Sequence, residues 1–94
     1  YMLKEIHEQA QAVADTLEGR IAGGKVLTQI FGVEAEQLLA ATQAVHIIAC
    51  GTSYHAGLVA RYWIEQLAGV PCTTEIASEY RYRDPVVREG TLFL

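Results

Sequence analysis

The chain has 94 residues, 51% of them hydrophobic and 19% charged, and a formal net charge of −4. A chain of this length is at most one small domain that hides only about 60–65% of its unfolded surface, so this much apolar content implies an interface or further chain. The acidic balance leaves no basic stripe to neutralise a nucleic-acid backbone, and no apolar run reaches the roughly 18–20 residues of a membrane span.

Leu3, Ile6, Ala10, Val13 and Leu17 recur at three- and four-residue steps, which predicts a helix of about four turns packed on a core. Lys4, Glu5, Glu8, Gln11 and Asp15 take its other faces, so Tyr1 to Leu17 does not read as a secretory leader. Gly19 is a plausible stop, and Gly23-Gly24 predicts a loop. Val26 to Phe31 is apolar and fits either regular state. Glu34 to Ala41 reads as a helix with Leu38 and Leu39 inward and acidic residues at its amino end.

The most informative stretch is Ala44 to Gly57. Val45, Ile47 and Ile48 predict a buried strand, Cys50-Gly51 its carboxyl end, and Ser53 to Leu67 a helix. Ala56, Val59, Ala60, Trp63, Ile64 and Leu67 give that helix so wide an apolar face that it is expected to meet a sheet and a second partner. Arg61 and Glu65, four apart, can pair. Gly69-Val70-Pro71 supplies a helix stop, Cys72 to Ala77 a second strand, and the pair implies parallel strands with a crossover. Ser78 is expected to cap a short helix through Tyr82 that Asp84-Pro85 ends, and Thr91 to Leu94 reads as a third strand in which the chain stops. The expected class is α/β, part of a larger domain.

In an open α/β sheet, ligands gather at the carboxyl ends of strands, where free N–H groups meet the positive end of a helix dipole. Thr52 and Ser53 are therefore the first candidates to hold a phosphate ester, with Gly51 allowing close backbone approach; the alternative is that one hydroxyl is only a helix cap. Cys50 and Tyr54 lie beside them. A Cys50–His55 nucleophilic pair is the less favoured reading, with Cys50 an ordinary small apolar residue. Cys50 and Cys72 match no metal pattern and read as reduced thiols of a cytosolic protein, while His7 and His46 have no metal-ligand company. Glu75 and Glu79 could form a carboxylate pair, but ion pairs with Arg81 or Arg83 explain them more simply.

Several runs carry a family resemblance: the opening Tyr1-Met2-Leu3-Lys4-Glu5-Ile6-His7-Glu8-Gln9, the turn Ala49 to Tyr54, Arg61-Tyr62-Trp63, Leu67 to Cys72, and Ile76 to Arg83. Together they closely resemble the glucosamine-6-phosphate synthases, the isomerising glutamine–fructose-6-phosphate aminotransferases. The CGTS turn alone is shared by many sugar-isomerase (SIS) domains. The resemblance implies a partial three-layer α/β/α sandwich with a flavodoxin-like parallel sheet, truncated in its third strand. It divides the chain into a helical lead-in at 1–43, following a glutaminase domain, and the first part of an SIS subdomain at 44–94. It implies fructose 6-phosphate or glucosamine 6-phosphate as ligand, contacted by Gly51, Thr52 and Ser53, in a cytoplasmic homodimer with no metal or redox cofactor. The catalytic residues of such an enzyme belong to other segments, so the chain itself is expected to be silent. A phosphosugar-sensing regulatory module and a dimerisation half-domain without its own ligand are the rival readings.

Overall fold

A computed structural model describes residues 1–94, which form two compact units, Tyr1–Gln37 and Leu38–Leu94. In the first, α1 (Met2–Leu17) follows the predicted periodicity but buries none of its residues, so the expected packing on a core is not found in this chain. The predicted loop at Gly23-Gly24 is instead the turn of a small antiparallel hairpin joining β1 (Ile21–Ala22) and β2 (Lys25–Val26). Both glycines have positive φ, 59° and 75°, the backbone that a two-residue turn needs if its twist is to match its strands. A 3₁₀ turn at Thr28–Phe31 settles the ambiguous apolar stretch.

The helix α2 (Ala35–Ala40) crosses the boundary between the units. Leu38 and Leu39, expected inward, are exposed, and its buried residue is Ala35. Within this chain nothing covers Leu38, and Leu39 lines an open apolar cleft with Ile64, Val70 and Leu94.

The second unit is built on a parallel three-stranded sheet in the order β4-β3-β5, formed by β3 (Ala44–Ala49), β4 (Cys72–Ile76) and β5 (Thr91–Phe93). The register pairs Val45 with both Cys72 and Leu92, and Ile47 with Thr74. Side chains alternate across a strand, which places Val45, Ile47, Cys72 and Leu92 on one face, where Val45, Ile47 and Cys72 are the buried core. The helix α3 (Gly51–Trp63) covers that face through Gly57 and Ala60, joined by Ile64 from the π-helical turn Ile64–Ala68 that extends it. Gly69 then ends it in the left-handed conformation, as its position predicted. The other face carries His46, Glu75 and Phe93, against α4 (Ala77–Arg81). Ser78 does not cap α4; the capping position is Ile76, whose side chain can make no hydrogen bond. The layers are helix, sheet and short helix, the α/β arrangement expected.

Only one of the two apolar stripes on α3 is used. Val59, Tyr62, Trp63 and Leu67 remain exposed, Trp63 at 61% and Leu67 at 83%. No helix is long and apolar enough to cross a membrane.

Candidate functional site

The central strand of the sheet is β3, and the chain continues from it to β4 on one side and later to β5 on the other. Such a reversal leaves a crevice beyond the carboxyl end of the central strand. The turn out of β3 lies at that crevice. Cys50 stays extended (φ −138°, ψ 163°), Gly51 turns the chain at φ 62°, and α3 begins at once. A side chain at Gly51 would meet no neighbour within 4 Å, so the glycine is required by its left-handed backbone and not by crowding.

Helix α3 starts two residues earlier than expected, with Cys50 in the capping position and no side-chain cap. Neither Thr52 nor Ser53 therefore serves as the cap. Both are exposed and their hydroxyls have no protein partner, which leaves two donors beside the orphan N–H groups of a 13-residue helix. Tyr54 donates its N–H to the Cys50 carbonyl at 3.4 Å, and its half-buried ring lies edge-on to His55 at 5.7 Å. Cys50 is exposed and free, and His55 is exposed one turn on. The turn carries no charged side chain, so an anion there would be held by N–H groups, hydroxyls and the helix dipole.

A second polar cluster crosses the sheet's other face. His46 Nε2 lies 2.8 Å from Glu75 Oε2, and Arg83 grips the same carboxylate with two nitrogens, Nη2 at 2.8 Å. The His46 ring stacks on Phe93 at 5.4 Å and meets Tyr80 edge-on, while the Arg83 guanidinium lies over the Tyr80 ring. The Arg83 hydrogen bonds hold the Glu75 carboxyl down at about 2, partial burial opposing them and the His46 hydrogen bond adding to them. Of the predicted carboxylate pair, Glu75 thus forms the expected ion pair with Arg83. Arg61 and Glu65 also approach as expected, at 3.7 Å, both on the surface. Burial pushes the Cys72 thiol up, the Glu65 charge adding to the shift and Arg61 opposing it.

Clefts lie away from the turn as well. One of about 420 Å³ lies by His46, Tyr80, Arg88 and Phe93; another of about 390 Å³, more apolar, lies by Leu39, Ile64, Val70 and Leu94. Neither is lined by Gly51, Thr52 or Ser53. The turn is favoured over them as a site because it combines unpartnered donors with the reversal in strand order, whereas the His46 cluster has its polar atoms paired.

A parallel sheet between helices, with this turn at its reversal point, defines a class. Residues 38–94 match the family model described as the SIS domain, and the chain belongs to that family. Over all 94 residues it is 60% identical to the glutamine–fructose-6-phosphate aminotransferase [isomerizing] of Pseudomonas putida and 55% identical to that of Legionella pneumophila strain Philadelphia 1. It spans about 15% and 16% of the length of those two relatives. The C-terminal domain of the glucosamine-fructose-6-phosphate aminotransferase from Francisella tularensis superposes with a TM-score of 0.88 at 53% identity, over 99% of this chain and 26% of that one. The resemblance in the motifs thus extends along the whole chain and into its fold.

Proposed function

We propose that this chain supplies one wall of the phosphosugar site of an isomerising aminotransferase, which converts fructose 6-phosphate and glutamine into glucosamine 6-phosphate and glutamate. The reading is carried by the two unpartnered hydroxyls of Thr52 and Ser53 at the reversal point of an SIS sheet. Their O–H groups donate to phosphate oxygens, Gly51 brings the backbone close, and the amino end of α3 favours the dianion. Cys50 and Tyr54 flank the ligand without reacting with it. Residues 1–43 act as the lead-in segment and 44–94 as the first part of the sugar-isomerase subdomain. By itself the chain binds and orients; it carries out no chemical step and uses no cofactor. The protein works in the cytoplasm, away from membranes and nucleic acid.

A second role is favoured by the uncovered stripe Val59, Tyr62, Trp63 and Leu67, which suits a homodimer or a helix of the same domain. The two roles use different residues and are compatible.

The test exchanges these 94 residues into the Pseudomonas putida relative. Replacing Thr52 and Ser53 with alanine should raise KM for fructose 6-phosphate by at least about tenfold, since a hydrogen bond to a charged group contributes roughly 1.5–3 kcal/mol. An unchanged KM removes the phosphosugar reading. Glucosamine 6-phosphate made by the purified 94-residue chain would show that it is not silent.

A further inference from the structure

α3 comes close to the sheet at one glycine. Gly57 sits over the register pair Ile47 and Thr74, one on β3 and one on β4. A Cβ there would lie 3.0 Å from both the Ile47 Cγ2 and the Thr74 Cγ2 methyls, tighter than carbon atoms ordinarily pack. Beside this contact, the Thr74 hydroxyl donates to the Gly57 carbonyl at 3.0 Å. At its one buried residue the helix therefore rests on two methyls and is tied down by one hydroxyl, with Ala60 and Ile64 packing on the core further along.

Ser53 lies four residues before Gly57, about one turn or roughly 6 Å along the helix. A helix is stiff over that length, so displacing it at Gly57 displaces the Thr52 and Ser53 hydroxyls and the neighbouring N–H groups. Hydrogen bonds weaken steeply when stretched beyond about 3.5 Å. We infer that Thr74, acting through Gly57, is a positioning residue for the ligand turn: it fixes where the donors of Gly51–Ser53 stand relative to the end of β3. The inference rests on the phosphosugar reading and assigns to β4 a part in a site it does not touch.

The substitution Thr74→Val keeps the shape but puts a methyl where the hydroxyl stood. Carbon and a carbonyl oxygen approach only to about 3.3–3.6 Å, so the helix must rise at this point. Thr74→Ser keeps the donor and removes the methyl. In the Pseudomonas putida relative carrying these 94 residues, T74V should raise KM for fructose 6-phosphate about fivefold, the equivalent of one neutral hydrogen bond, with a smaller change in kcat. T74S should hold KM near the parent value, since the hydroxyl tie to the Gly57 carbonyl and the Ile47 methyl both remain. If T74V leaves KM unchanged while Thr52→Ala/Ser53→Ala raises it, the positioning role is wrong and the phosphosugar reading stands. If neither moves KM, both fall. If T74V lowers the melting temperature and kcat with KM unmoved, or T74S fails to rescue, Thr74 is structural only.

Discussion

Gly57→Ala is the sharpest probe of how the second unit is packed, because two effects of opposite sign meet there. In an ordinary helix interior the change should stabilise by about 0.5–1 kcal/mol, since alanine leaves the unfolded chain less freedom to lose. Here the new methyl would sit 3.0 Å from the methyls of Ile47 and Thr74. Overpacking of that kind costs about 1–3 kcal/mol, so the expected net effect is a loss of roughly 1 kcal/mol, or about 4–8 °C in melting temperature for a unit this small. The assay is urea unfolding followed by far-UV circular dichroism, in two backgrounds. In Ile47→Ala/Thr74→Ser both obstructing methyls are gone, and the same Gly57→Ala change should become stabilising by about 0.5 kcal/mol. Stabilisation in the original background, or an equal cost in both, would show that α3 does not rest on these two side chains.

The Glu75 carboxyl should titrate near 2 by NMR instead of near its usual 4.5. Because its folded value is depressed, the stability it contributes is fully present above about 4.5 and is lost as the pH falls towards 2; Glu75→Gln should abolish that acid dependence. Gly23→Ala or Gly24→Ala should cost about 1–2 kcal/mol of hairpin stability, because both positions are left-handed, and the Leu27 amide, bonded to the Arg20 carbonyl at 2.8 Å, should exchange faster in consequence. A thiol reagent should label exposed Cys50 promptly and reach Cys72, buried and with its thiol pushed up, only on unfolding. Equal labelling of the two would contradict the buried core.

The residues that announced themselves were those whose local chemistry has one outcome. Val45-His46-Ile47-Ile48 bounded by Cys50-Gly51 leaves little besides a strand running into a helix, and Gly69-Val70-Pro71 little besides a helix end. The hairpin at Ile21–Val26 was illegible because two-residue strands have no periodicity to read, leaving only the Gly-Gly pair as a signal. The inward face of α3 was read as a matter of apolar residues, which overlooked Gly57: a close approach is marked by a missing side chain, which a search for hydrophobic spacing passes over. Exposure of Leu38 and Leu39 has the converse cause, since apolar character says that a residue should be covered but not what covers it. The His46–Glu75–Arg83 cluster joins residues 29 and 8 positions apart, and only the strand register brings them together. At the candidate site, Gly51, Thr52 and Ser53 could be singled out from the strand-to-helix pattern. That both hydroxyls escape a capping role depended on where α3 begins, which is set by a glycine backbone angle that no spacing rule supplies.

The bare stripe on α3 has a practical corollary. Trp63 is the chain's only tryptophan and lies in the middle of that stripe, so tryptophan emission, excited selectively over the tyrosines, is a report from one surface and from nowhere else. Uncovered, the indole should emit as a water-exposed fluorophore and be quenched readily by iodide. Any partner or neighbouring helix that settles on Val59, Trp63 and Leu67 should shift the emission to the blue and shield it. The chain thus carries an unlabelled optical sensor for its own assembly, separate from the turn out of β3.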